Sequence, residues 1–276
     1  MNNEGAKKVR FLATLAAASA CLCIISLVGC GGPSRKELES LDEDFRASTA
    51  SLEEALSFLD ALERFDFENG SFMDDARKSV SSSREMASEA FTIIQRLLSR
   101  PYGGKLEELG RLIEDYGEAA SAAVEELQSL YGPLEGLLSA IEPVMREEAA
   151  ITGMEAPRSD AEWLERLNRL RNALGPALSA LSSLEVPRVL EEYRGFLQEL
   201  FSVLYKLVEE LASRVKRGDV SSNAPDNPDF LRMQELLGSY GATVDRLRKN
   251  LEASRLDPLV EKVELEINRL FLEAAR

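Results

Sequence analysis

The sequence predicts an all-α protein: two tandem, similar antiparallel helical bundles, about eight helices in total, related by an internal duplication. Three observations predict it. Apolar residues recur at alternating spacings of three and four through nearly the whole chain after residue 34. No stretch shows the two-residue alternation of a half-buried strand. Finally, the helical pattern restarts after residue 158, in the same order as before.

Ser34-Arg35-Lys36-Glu37 has the spacing of a capping box, so the first helix starts near Arg35. Its seam is Leu38, Leu41, Phe45, Ser48, Leu52, Ala55, Leu59 and Leu62, which predicts packing nearly parallel to neighbouring helices. It should end near Arg64, with Asn69-Gly70 as the turn. A second helix follows over residues 72–99. Residues 78–83 are serine-rich and poor in seam residues, which marks this as the weakest stretch. Pro101 and Gly103-Gly104 break the chain. The third helix, residues 105–130, has a regular seam that includes Leu109, Ile113, Tyr116, Ala120 and Leu127. Gly132-Pro133 reads as a turn, followed by a short fourth helix to residue 150 that Pro143 should kink. The first bundle thus covers residues 35–151, and 152–158 is a linker.

The second bundle, residues 159–276, opens on another capping box, Ser159-Asp160-Ala161-Glu162. The run from Leu52 to Glu63 recurs from Leu174 to Glu185, and that from Glu89 to Leu98 recurs from Glu199 to Val208. Tyr116-Gly117 corresponds to Tyr240-Gly241, and Pro133-Leu134 to Pro258-Leu259. The four offsets are 122, 110, 124 and 125 residues, and the differences fall in loops, where insertions are tolerated. Gly175-Pro176 should bend the first helix of this half.

The N-terminal stretch addresses location. Lys7, Lys8 and Arg10 precede an 18-residue, mostly apolar run from Phe11 to Val28, the layout of a secretory signal. Leu27-Val28-Gly29-Cys30 resembles the lipobox of bacterial lipoproteins. The resemblance implies that residues 1–29 are removed as a signal peptide and that Cys30 becomes the lipidated first residue, carrying covalent diacylglycerol and acyl groups. No other cofactor is expected. Residues 30–34 would be a short lipidated tether, at most about 15 Å long at roughly 3.5 Å per residue. The run is also long enough for an uncleaved anchor, and an ordinary secretory signal has the same layout. Under the anchor reading too, basic charge before the run places the domain outside the cytoplasm. The expected location is therefore the extracytoplasmic face of a cell membrane, inner or outer.

Composition narrows the chemistry. The net charge is −15, and removal of residues 1–29, with three basic residues and one acidic, makes it −17. Such a surface repels nucleic acid and anionic headgroups, so no nucleic-acid partner is expected and membrane contact rests on the lipid. All three cysteines (Cys21, Cys23, Cys30) lie in the signal or at its edge, so the domain has no internal disulfide. There is no His, which excludes Ser-His-Asp and Cys-His catalysis and His-ligated metal sites. No metal site and no catalytic residue are expected.

Tyr116 and Tyr240, each followed by Gly, are candidate ligand-binding residues in a pseudo-symmetric pocket; packing at close helix crossings is the competing reading. Trp163, the only Trp, lies on a seam and reads as a core or inter-half residue; a surface anchor for a partner is the competing reading. Glu107-Glu108, Glu125-Glu126, Glu147-Glu148 and Glu209-Glu210 read as solvated faces, and residues 219–229 as a polar loop without EF-hand spacing. The expected function is a non-enzymatic helical binding or scaffold module for another envelope protein. The alternative is a carrier for a small apolar ligand held between helices.

Overall fold

The computed structural model describes residues 33–65, 71–218 and 227–275; among them every regular element is helical and no strand occurs. Residues 1–32, with the lipobox and Cys30, residues 66–70, with the expected Asn69-Gly70 turn, and most of the polar loop, 219–226, lie outside the described residues.

Helix α1 (Arg35–Ala55) begins at the expected box. Ser34 Oγ accepts the Glu37 N–H at 3.2 Å, and the Glu37 carboxylate accepts the Ser34 N–H at 2.7 Å. Two donors that a helix start leaves orphaned are thereby satisfied. The seam from Leu38 to Ala55 is buried. The chain does not continue as one helix to Arg64: it breaks after Ala55 and resumes as the short α2 (Phe58–Glu63).

That break is secured by two neighbours. On α3 (Phe72–Leu98), Ser83 Oγ accepts the Phe58 N–H at 3.1 Å. From α4, the Tyr131 hydroxyl lies 3.1 Å from the Ala55 carbonyl and 3.0 Å from the Ser83 carbonyl, sharing its one hydrogen. Ser83 and Tyr131 are fully buried. The serine-rich stretch is accordingly an unbroken part of α3, because a buried serine there serves a backbone group that the α1–α2 break leaves open.

Helix α4 (Glu107–Thr152) corrects a second expectation. It runs for 46 residues through Pro133 and Pro143, about 70 Å at 1.5 Å per residue. A proline inside a helix costs about 3 kcal/mol. Leu130, Tyr131, Leu134, Leu137 and Leu138 are all essentially buried around Pro133, each contributing about 1.5–3 kcal/mol. Packing outweighs the break. In the same way α5 (Asp160–Ser183) continues through Pro176.

The remaining helices are α6 (Arg188–Lys216), α7 (Pro228–Asn250) and α8 (Asp257–Ala274), with a 3-10 turn Glu252–Arg255 before α8. Ser159 Oγ caps α5 by accepting the Glu162 N–H at 3.2 Å, as its sequence predicts. Asn227 Oδ1 caps α7 by accepting the Asp229 N–H at 2.8 Å.

Helix α3 runs antiparallel between α1 and α4, as the Arg77–Glu142 and Arg84–Glu135 pairs at 2.7 and 3.0 Å require. Helix α5 turns back along the second part of α4, with Arg169 2.9 Å from Glu147. Helices α6 and α7 follow in antiparallel order. The last helix does not stay with them: α8 packs on α4 and α1, and closes a four-membered ring α1–α3–α4–α8. A helix from beyond residues 152–158 thus packs against the helices before them. One hydrophobic core runs from Leu38 through both bundles to Leu270. Helix α2 links them further: Arg248 of α7 reaches Asp60 at 2.6 Å, and Phe65 stacks on Tyr240 at 4.8 Å.

This order gives the molecule two ends along α4. The first turn of α1 lies with the start of α4, since Arg100 contacts Ser40 and Asp44. The α4–α5 and α6–α7 connections lie at the other, far end.

Candidate functional site

Tyr116 and Tyr240 are not brought together. Tyr116 is fully buried on α4; its hydroxyl lies 2.9 Å from Ser48 Oγ, and its ring meets Phe45 edge-on at 5.0 Å. Tyr240, on α7, is also buried, its hydroxyl 2.8 Å from that of Tyr193 and its ring against Phe65 and Phe196. Each phenol therefore has a protein partner and is buried out of reach of a ligand. Burial pushes the Tyr116 and Tyr193 phenols up to about 12, partly opposed by their hydrogen bonds, and Tyr240 well above its ordinary value. The paired glycines differ as well. A Cβ at Gly117 would lie 2.6 Å from Leu98, whereas Gly241 faces open space.

The acidic pairs sit on the helix surfaces and are partly neutralised there. Glu108 pairs with Arg111 at 2.7 Å, Glu147 with Arg169 at 2.9 Å, and Glu210 with Arg214. Among the described residues no group of three or more His, Cys, Asp or Glu converges as a metal site would require. Nor is any described helix long and apolar enough to cross a membrane.

One departure from a closed core is at the far end. Helices α5 and α7 each pack along α6 and make almost no contact with one another. Between them lies an apolar groove with a cavity of about 260 Å³. Leu167 and Leu170 of α5 form one wall, Leu207 and Leu211 of α6 the floor, and Phe230 and Met233 of α7 the other wall. Glu210, Arg214 and Asn227 form its polar rim. Hydrogen bonds from Arg214, then from Asn227, hold the Glu210 carboxyl below the usual carboxylate range.

The apolar surface continues past the cavity. Trp163 precedes Leu167 by four residues and so stands on the same face of α5; it is 38% exposed rather than buried in the core. Leu237 extends the α7 stripe four residues beyond Met233 and is 38% exposed, and Leu211 is 40% exposed. The seam spacing in the sequence marks these residues as facing a neighbour. It carries no sign that, at this end, the neighbour is missing.

Comparison with protein-family models, with curated proteins and with solved structures finds no match to this chain. The fold and the groove together define it as an all-α helical-bundle protein with an open apolar surface at one end.

Proposed function

We propose that the protein is an extracytoplasmic lipoprotein, anchored through Cys30, that acts as a helical binding or scaffold module for another component of the cell envelope. It is a binding module and not an enzyme. The single observation that carries the binding role is the apolar groove between α5 and α7, with Trp163, Leu211 and Leu237 left in solvent around it. Contiguous exposed apolar surface with a polar rim is the mark of an interaction site. Its position supports the anchored reading. The tether leads into the first turn of α1, and α4 places the groove at the opposite end, about 70 Å of helix away. A short anchor at one end and a recognition surface at the other is the layout of a membrane-held presenter. The matching order of α1–α3–α4 and α5–α6–α7 supports reading the two halves as copies of one unit.

A second reading, a carrier for a small apolar ligand, is favoured by the apolar lining and the volume of about 260 Å³. That is slightly below the roughly 300–1,000 Å³ of ordinary ligand sites.

The test has two parts. A Cys30→Ser variant is fractionated and its mature N-terminus weighed. Loss of processing before residue 30 and of the acyl mass at the N-terminus are expected, with the unprocessed chain held only by its apolar run; retention with unchanged processing rules out the lipid anchor. Photocrosslinkers placed at Leu211 and, as a control, at Phe91 of α3 are then activated in cells. Crosslinks to an envelope component from Leu211 alone are expected; equal labelling from both sites removes the groove from the account.

A further inference from the structure

Resting on the binding-module reading above, we propose that the groove receives an amphipathic α-helix of another polypeptide, carrying apolar residues at i, i+4 and i+7.

The protein contains its own precedent. Helices α1, α3 and α4 form three sides of a ring, and α8 is the fourth, lying across α1 and α4. It is an 18-residue amphipathic helix whose Val263, Ile267 and Leu270, at i, i+4 and i+7, are essentially fully buried. Helices α5, α6 and α7 repeat the first three sides in the same order. At the end nearest α2, Phe65 covers Tyr240. At the far end no described helix supplies the fourth side.

The dimensions agree. From Phe230 to Leu237 the α7 wall runs seven residues, about 10 Å at 1.5 Å per residue. The α5 wall from Trp163 to Leu170 has the same length. That is the span of one i, i+4, i+7 stripe, the unit by which a helix is read in an apolar groove. The rim of Glu210, Arg214 and Asn227 meets the polar flank of such a helix, and Met233 gives an adaptable contact.

Two other occupants fit less well. A small molecule filling the cavity leaves Trp163 and Leu237 uncovered, because neither lines it. A second copy related by a two-fold axis would set groove against groove, and two concave surfaces leave a void between them.

Trp163, the only tryptophan, reports on the site. The full chain is reconstituted in phosphatidylcholine vesicles and titrated with a synthetic peptide of residues 257–274, the α8 sequence. Expected is a saturable blue shift of Trp163 emission at micromolar peptide. It should be absent for a peptide in which the positions of Val263, Ile267 and Leu270 are Ser. It should weaken about tenfold or more in Leu211→Glu, which buries an unpaired charge under the docked helix. Leu211 is already 40% exposed, so the variant keeps its helical circular dichroism; Met233→Glu serves as a second variant. No emission change, a change that survives both variants, or self-association that Leu211→Glu abolishes each overturns the proposal. If the peptide fails but Met233→Glu still abolishes crosslinking from Leu211 in cells, helix docking is wrong and the binding-module reading stands. If crosslinking from Leu211 is indifferent to Met233→Glu, that reading fails whatever the peptide does.

Discussion

Replacing Tyr131 by Phe removes one oxygen from the point on which both bundles depend. The α1–α2 break leaves the Ala55 carbonyl without a helical donor, and the Tyr131 hydroxyl, 3.1 Å away, supplies one. The ring itself is kept, together with its edge contact to Phe58 at 5.9 Å, so no cavity of any size opens. What is lost is a hydrogen bond worth about 1 kcal/mol net, plus the cost of a buried carbonyl left unpaired, for a total of about 2 kcal/mol. For a domain of this size that lowers Tm by about 4–8 °C. Thermal and urea unfolding followed by circular dichroism measure it. The loss should reach the far bundle, because α2 holds α7 through the Arg248–Asp60 pair and Phe65–Tyr240 stacking. Amide exchange at the C-terminal end of α7 should therefore quicken, while that of α3 near Leu97 stays slow. A Tyr131→Phe protein within about 0.5 kcal/mol of the parent would refute the reasoning, since a hydrogen bond made only incidentally contributes that little.

Further predictions concern the same interior. Tyr193→Phe and Tyr240→Phe should each cost about 1–2 kcal/mol by stranding the other hydroxyl, and the double variant less than their sum; a urea double-mutant cycle measures the coupling. Gly117→Ala should destabilise by about 1–2 kcal/mol, because its Cβ would press Leu98 at 2.6 Å, whereas Gly241→Ala, facing open space, should stabilise by about 0.5–1 kcal/mol. The unfolded chain releases its tyrosine protons near pH 10, while folded Tyr116 and Tyr193 keep theirs to about 12. Between these values the unfolded state binds fewer protons, so stability must fall as pH rises through the interval. Tyrosinate absorbance and helicity measured together should then change in one cooperative step; ionisation of these phenols near pH 10 with the fold intact would contradict it. Ser83→Ala should cost about 1–2 kcal/mol by orphaning the Phe58 N–H, as read by urea unfolding.

The helices were legible because their signals are local. Ser34 and Ser159 cap where the boxes place them, each accepting a backbone N–H three residues on. The seam from Leu38 to Ala55 and the stripe through Ile113, Tyr116 and Leu127 are buried, since spacings of three and four put those residues on one face. Of the groove, Trp163 was visible as a seam residue, but not as part of an open surface.

By itself, then, the sequence determined that the chain is all-α, where α1 and α5 start, which face of the long helices is apolar, and that the chain carries no His. The tertiary structure alone decided the rest. Burial around Pro133 and Pro143 kept α4 whole, where a local reading of proline places a turn and a kink. The α1–α2 break was settled by Ser83 and Tyr131, which lie 25 and 76 residues from the groups they bond. Helix α8 closed the first ring and not the second, so Trp163 and Leu211 were left in solvent. The physical reason is common to all three. Periodicity states that a face will be covered, but the free energy of covering it depends on which other surfaces the whole chain can bring there.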